Sequence, residues 1–169
     1  SVETALISMG SLYSPSHRLE RSCLARAYID LTTKVGIVEF NDPHRFNVLT
    51  SVLGESVSIA LQKLGKQQCN ALLLQGAGEH FCAGGDPYQS IRLPLAAAAH
   101  RILKTVSFCA DLRAQQVPVL CAVQGKLIGG GIAACMCADY VVADSWSTFT
   151  HGNLVRGVCP VGDFSRRLP

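Results

Sequence analysis

Hydrophobic and polar residues alternate in two neighbouring stretches, residues 27–32 and 35–40, which the dipeptide Thr33-Lys34 separates. Successive side chains of a β-strand point to opposite faces of a sheet, so this period of two predicts a β-hairpin near the start of the fold. The sequence Asn-Asp-Pro at 41–43 ends the second strand, because proline is rarely accommodated inside a sheet.

A different spacing follows, in which apolar residues between Leu49 and Leu64 recur mostly at steps of one, three and four. This spacing predicts an amphipathic helix that ends near Gly65. Two further helices are expected, one at 95–112 and a very apolar one at 132–136, and three further strands at 71–74, 117–123 and 139–143. Strands that alternate with helices indicate an α/β layered domain with short crossovers.

The length of 169 residues, of which 49% are hydrophobic, is sufficient for one compact core and makes an intrinsically disordered chain improbable. Residues 1–24 are rich in serine and mixed charge, so we predict an N-terminal extension or linker there and one core domain over residues 25–169. The first residue is Ser1 rather than methionine, which suggests processing or an unseen leader.

The net charge of +3 is small and no concentrated basic patch occurs, so nucleic-acid binding is not expected. The apolar runs are also too short and too often interrupted to span a bilayer. Eight cysteines lie mostly among apolar neighbours, which favours reduced core thiols over a disulfide framework. Cys135 and Cys137 lack a second ligand pair, so no metal site is expected. Reduced thiols indicate an intracellular reducing compartment, with cytosol and organelle matrix both open.

Two turns of small residues, Ala83-Gly84-Gly85-Asp86 and Gly129-Gly130-Gly131, each follow a predicted strand and precede a helix. Such turns expose backbone N–H groups, and two of them facing one point bind a carbonyl oxygen and stabilise it as it becomes an oxyanion. The alternative is that both are ordinary glycine-rich loops. Neither has the glycine pattern of a dinucleotide or P-loop site.

Four segments are relevant together: N-D-P-H-R-F-N-V-L at 41–49, F-C-A-G-G-D at 81–86, Gly125 and the glycines 129–131 followed by C-A-D at 137–139, and Pro160 with Arg167-Leu168. In this order they resemble the signature segments of the crotonase (enoyl-CoA hydratase/isomerase) superfamily. The resemblance covers about residues 25–169. It implies an α/β fold, a crotonase-like spiral of ββα units, here without the usual C-terminal helices.

The resemblance also implies a site for an acyl thioester, in which the N–H groups of Gly85 and Gly130 form the oxyanion hole. By motif position, His44, Arg45, Ala83 and Gly84 are expected beside the pantetheine, adenine or phosphates, although His44 and Arg45 are equally compatible with solvated loop residues. Coenzyme A or acyl-carrier pantetheine would enter as part of the substrate, and no further cofactor is required.

The family's hydratases use two glutamates, and the corresponding positions here are Ala133 and Asn153. Ordinary hydration is therefore disfavoured, because no carboxylate is present to position water and move protons. His151 and Tyr88 are candidate acid or base groups; the alternatives are a structural strand-end histidine and a packing tyrosine. Cys82 is either a nucleophile or, as we favour, an inert packing thiol.

Two functions remain open. One is an acyl-thioester-binding protein with a retained oxyanion hole, related to the family's isomerases, decarboxylases or dehydratases, that acts on acyl-CoA or a carrier-bound acyl group. The other is a non-catalytic structural subunit. The chain stops where the family's C-terminal helices begin, which suggests a fragment or a partner that covers the exposed surface, in a homo-oligomer or a larger complex.

Overall fold

The computed structural model describes residues 4–6, 24–86, 88 and 93–152. Eight strands lie within these residues: β1 Thr4–Leu6, β2 Ala25–Asp30, β3 Val35–Phe40, β4 Ala71–Gly76, β5 Val119–Val123, β6 Lys126–Ile128, β7 Tyr140–Ala143 and β8 Thr148–Thr150. Three α-helices accompany them: α1 Ser51–Leu64, α2 Leu95–Arg113 and α3 Gly130–Met136. A 3₁₀ turn spans Pro43–Arg45.

Six of the strands form one mixed sheet in the order β1-β2-β3-β4-β5-β7, and β6 pairs with β8 in a second, parallel sheet of two strands. The predicted hairpin is confirmed, because β2 and β3 are antiparallel with Ala25 opposite Phe40. Strands β3, β4, β5 and β7 run parallel, so each connection between them must cross over. Helices α1, α2 and α3 lie in these crossovers, which confirms the expected α/β architecture.

Helix α1 begins where Thr50 caps it, since the Thr50 hydroxyl accepts a hydrogen bond from the Leu53 N–H at 3.1 Å. Its buried stripe includes Leu53, Val57 and Leu61, which are at most 1% exposed, and the helix packs on β2, β3 and α2. The spacing of the apolar residues along the sequence thus correctly predicted the helix and most of its buried face; Val52, which shares the spacing, is 41% exposed.

Three phenylalanines connect the sheet to the helices at the centre of the core. The rings of Phe81 and Phe108 both pack edge-on against Phe40, with ring centroids 5.3 and 5.8 Å from it. All three side chains are fully buried. Aromatic rings prefer this edge-to-face arrangement, so the contact fixes β3 relative to α2 and to the turn after β4.

Two features of the sheets were not predicted. Residues 4–6 lie in the segment expected to be an extension, and they form the edge strand β1, antiparallel to β2. Strands β6 and β8 have three residues each, too few to show a recognisable period of two in the sequence. Their pairing places Thr150 opposite Ile128.

Helices α1 and α2 come into backbone contact at Gly54. A Cβ at this position would lie 2.5 Å from the Thr105 carbonyl oxygen and 2.7 Å from that of Lys104. On either side, Lys104 pairs with Glu55 at 2.6 Å, and the hydroxyls of Ser58 and Ser107 are 3.1 Å apart. The close approach of the two helices therefore requires a residue without a side chain.

We predict that Gly54→Ala lowers the free energy of unfolding by about 1–3 kcal/mol, because the backbone of α2 must move to accommodate the methyl group. The matched control is Gly65→Ala at the end of α1, where φ is −62° and the nearest atom is the flexible Gln115 side chain. It should change stability by less than about 1 kcal/mol. Urea denaturation measures both, and equal losses would contradict the proposed contact.

Candidate active site

The turn of residues 82–86 lies between two other backbone segments. On one side, the Leu49 N–H donates to the Gly84 carbonyl at 2.8 Å, and the Asp86 N–H donates to the Leu49 carbonyl at 3.2 Å. On the other side, Cys82 pairs with β6, accepting from the Ile128 N–H at 3.0 Å. The turn is therefore held between the loop before α1 and the strand that leads into α3.

Glycines allow these segments to come so close. Gly84 has φ of +86°, and a Cβ there would lie 2.8 Å from the Ile128 carbonyl oxygen. A Cβ on Gly131, in the first turn of α3, would lie 2.9 Å from the Cys82 Cβ and 2.7 Å from Leu127 Cδ1. Side chains at either position would separate the two turns, so their contact depends on glycine.

This contact makes the peptide nitrogens of Gly85 and Gly130 neighbours. A Cβ placed on Gly130 would lie 3.9 Å from the Gly85 nitrogen. Backbone geometry then limits the separation of the two nitrogens to about 6 Å. Within the described residues, neither N–H donates to a protein acceptor. Gly130 is the first residue of α3, so its N–H has no acceptor within the helix.

The outer side of Gly85 is open. No atom lies within 4 Å of the position where its Cβ would be, and the residue is exposed. The bridge to Leu49 uses the polar groups of Gly84 and Asp86, not those of Gly85. A ligand could therefore approach Gly85 from this side without displacing a protein group.

The residues that the resemblance places beside the pantetheine differ in how many of their polar groups already form hydrogen bonds within the protein. Gly84 donates to Cys82 Sγ at 3.4 Å and accepts from the Leu49 N–H, so both of its backbone groups have protein partners. Ala83 donates its N–H to the Phe46 carbonyl at 2.9 Å, which leaves its carbonyl for a ligand. His44 is exposed on the 3₁₀ turn.

Arg45, the next residue of this turn, contacts two carboxylates. Its Nη2 lies 3.2 Å from Asp86 Oδ2, and its Nη1 lies 3.9 Å from Asp42 Oδ2. The second carboxylate oxygen of Asp86, Oδ1, accepts from the Tyr88 N–H at 2.9 Å. Arg45 is thus joined directly to the turn that carries Gly85.

Asn47 is a structural residue of the site to which the sequence analysis gave no role. It is fully buried, has φ of +53°, and donates from Nδ2 to the carbonyls of Ala77 and His80 at 2.9 and 2.8 Å. Its Oδ1 accepts from the Asp42 N–H at 2.9 Å. One side chain therefore connects the loop after β3 to the loop after β4. The position of Asn47 within the segment 41–49 was the sequence feature that could have identified this role.

The two candidate proton-carrying residues occupy different surroundings. Tyr88 is 83% exposed, so the packing role considered for it is not seen among the described residues. His151 directly follows β8, whose last residue, Thr150, accepts from the Gly129 N–H at 3.0 Å. The Nε2 atom of His151 is buried. His151 therefore belongs to the segment that borders the start of α3.

The first of the two glutamate positions is occupied by a core residue. Ala133 lies on α3 and is 0% exposed, and its methyl group packs in the main hydrophobic core. A methyl group there cannot position water or carry a proton. The second position, Asn153, lies outside the described residues, as do Pro160 and Arg167-Leu168.

The interpretation of Cys82 as a packing thiol is confirmed. The side chain is fully buried, and this burial raises the pKa of its thiol to about 12. Six cysteines are buried and belong to no disulfide, as predicted: Cys69, Cys82, Cys109, Cys121, Cys135 and Cys137. Cys23 and Cys159 lie outside the described residues. A hydrogen bond with the Cys135 side chain, together with burial, also raises the pKa of the Cys121 thiol.

Within the part of the chain that the structure describes, no three histidine, cysteine or acidic side chains come together as metal ligands. None of the helices at residues 24–86 and 93–152 is both long and apolar enough to cross a membrane.

Residues 30–169 match the protein family described as enoyl-CoA hydratase/isomerase. A probable enoyl-CoA hydratase of Mycobacterium bovis, echA8, is 30% identical over 144 residues, which cover 83% of this chain and 54% of that protein. A probable enoyl-CoA hydratase of Rhizobium meliloti is 25% identical over 141 residues, with the same coverage. The chain belongs to the enoyl-CoA hydratase/isomerase family, within the crotonase superfamily.

Solved structures support the same fold. An enoyl-CoA hydratase from Polaromonas superposes with a TM-score of 0.76 at 23% identity, covering 82% of this chain and 55% of that one. An enoyl-CoA hydratase subunit from Geobacillus kaustophilus gives 0.76 at 24% identity, with 86% and 55% covered. The predicted crotonase-like fold is thereby confirmed. The chain spans about half the length of the curated relatives it matches.

We predict that Asn47→Ala lowers the free energy of unfolding by about 2–4 kcal/mol, because three buried hydrogen bonds lose their partner. The matched control is Asn70→Ala, which removes one exposed hydrogen bond, to the Thr33 carbonyl at 3.2 Å. It should cost less than about 1 kcal/mol. If denaturant unfolding gives the same loss for both variants, Asn47 does not hold the two loops together.

The raised thiol pKa of Cys82 predicts how stability depends on pH. Unfolding exposes a thiol of ordinary pKa, so the unfolded chain loses its proton above about pH 9 whereas the folded chain keeps it up to about pH 12. The free energy of unfolding should therefore decrease as pH rises through this window. Cys82→Ala should make the decrease shallower in denaturant titrations near pH 8 and about 10.5, and an unchanged slope would contradict the assignment.

Proposed function

We propose that this chain binds an acyl thioester, such as an acyl-CoA or a carrier-bound acyl group, and that the N–H groups of Gly85 and Gly130 donate to its carbonyl oxygen. The observation that carries the proposal is the proximity of two peptide amides that have no described protein acceptor, one of them on an open surface. Family membership supports it, since the matched relatives are named as enoyl-CoA hydratases.

Such an arrangement favours reactions in which the thioester oxygen gains negative charge. Donors already in position stabilise the developing oxyanion, because they need not reorganise during the reaction. Removal of a proton or of carbon dioxide next to the carbonyl produces such an enolate. Isomerisation and decarboxylation are therefore the proposed reaction classes, with dehydration as a third. Hydration is disfavoured, because Ala133 supplies no carboxylate.

His151 is the proposed acid or base. It follows the strand whose end bonds to Gly129, and an imidazole can both accept and donate a proton. Tyr88 is the second candidate, because its backbone bonds to Asp86 at the outer end of the same turn. The exposed His44 and the Ala83 carbonyl are proposed contacts of the pantetheine or its phosphates. No cofactor beyond the thioester itself is proposed.

A second candidate function is a non-catalytic subunit of a homo-oligomer or a larger complex. It is favoured by the exposed apolar side chains of β7, β8 and their connection, among which Tyr140, Val142 and Trp146 are 65%, 60% and 84% exposed. Clusters of this kind are typical of association surfaces. For either function, the buried and reduced thiols support a reducing compartment as the location of the protein.

We predict that Gly130→Pro weakens acyl-CoA binding at least about tenfold, because proline has no N–H to donate. Gly130 is the first residue of α3, a position that accepts proline, and Gly130→Ala is the matched control, because it adds the same Cβ next to Leu49 Cδ1 but keeps the N–H. Calorimetric titration with butyryl-CoA measures the effect, and Gly65→Ala is a second control with unchanged binding.

Two results would reject the proposal. One is the absence of butyryl-CoA binding to the unmodified chain at millimolar ligand, which would favour the non-catalytic subunit. The other is equal binding by the unmodified chain and by Gly130→Pro, which would show that the ligand does not use this amide. Crotonyl-CoA hydration should be undetectable in either case.

A further inference from the structure

We propose that Arg45 is a positioning residue, whose ion pair with Asp86 fixes the turn that presents the Gly85 N–H, and that it is not a ligand of the substrate's phosphates. The inference rests on the proposed function, because it assigns a role in the same site. It departs from the expectation that Arg45 lies against the nucleotide part of coenzyme A.

The ion pair joins residues that are 41 positions apart in the sequence. The Asp86 side chain is only 12% exposed, whereas that of Arg45 is 55% exposed. Both Asp86 oxygens are used, one by the Arg45 guanidinium and the other by the Tyr88 N–H. The carboxylate thus connects the 3₁₀ turn to the chain on the far side of Gly85.

Backbone hydrogen bonds complete the connection. The segment that follows Arg45 runs beside the whole turn, because Ala83 donates to Phe46, Leu49 donates to Gly84, and Asp86 donates to Leu49. Gly85 has no side chain, and its N–H has no described acceptor. The orientation of that N–H is therefore set by its two neighbours in the chain, and the side chain of one of them is held by Arg45.

Binding a phosphate would require Arg45 to leave or to share its two carboxylate partners. The side chains of Asp42 and Asp86 are 14% and 12% exposed, so the loss of their counter-charge would leave two largely desolvated carboxylates. The neighbouring His44 forms no salt bridge with a described residue. It is therefore the better placed of the two for an anionic ligand.

The first test compares two probes, butyryl-CoA and S-butyryl-pantetheine, which lacks the nucleotide and its phosphates. Arg45→Gln should weaken binding of both by the same factor, about fivefold, as expected for loss of a partly exposed ion pair. Arg45→Lys should restore most of the affinity. The matched control, Arg26→Gln, removes an ion pair of similar exposure outside the site, to Glu39 at 3.3 Å, and should not weaken binding of either probe.

A loss confined to butyryl-CoA would overturn the proposal, because it would identify Arg45 as a phosphate ligand. An unchanged affinity for both probes would also overturn it. Circular dichroism and thermal unfolding of each variant show whether it is folded, so that a general loss of structure is not mistaken for a loss of positioning.

A second measurement needs no ligand and separates this inference from the proposed function. In ¹H–¹⁵N spectra of the chain without ligand, Arg45→Gln and Asp86→Asn should shift the Gly85 amide resonance in the same direction, and the double variant should shift it no further. A Gly85 resonance that does not move in Arg45→Gln overturns the inference. If the unmodified chain binds neither probe, the proposed function fails, and this spectrum still decides the role of Arg45.

Discussion

The structure depends on a direct contact between two backbone turns that have no side chains between them. Gly84 and Gly131 lie where a Cβ would be less than 3 Å from atoms of the opposite segment. Such distances are not tolerated by any other residue, so these two positions determine how closely residues 82–86 approach the start of α3. The proximity of the Gly85 and Gly130 amides follows from that approach. Leu49, Asn47 and the Arg45–Asp86 pair then hold the turn from its other side.

Charge stabilisation and proton transfer are two components of catalysis that often occur together. The contact between the two turns concerns only the first of them. Backbone amides can stabilise charge on an oxygen, and they require only the correct main-chain geometry. Proton transfer requires titratable side chains, and the helix that supplies Gly130 has the buried Ala133 where a hydratase has a glutamate. The proposed site therefore relies on the electrostatic component, and His151 is the proposed proton carrier because it lies close in sequence to Asn153, the second glutamate position.

Strands β7 and β8 are exposed to solvent. They carry apolar side chains at the surface, and β8 leads directly into His151. The end of β8 lies close to the start of α3, because the Thr150 carbonyl accepts from the Gly129 N–H at 3.0 Å.

The sequence by itself determined the elements whose burial repeats at short range. The hairpin, α1, β4, α2, β5 and α3 were predicted because side-chain periodicity along a chain records which face is buried. The four ordered segments also identified the family and the glycines of the two turns. Only the tertiary structure decided the strand order, the pairing of β6 with β8, the partner of Arg45 and the three contacts of Asn47. These contacts join residues that are far apart in sequence, so they produce no periodic pattern along the chain.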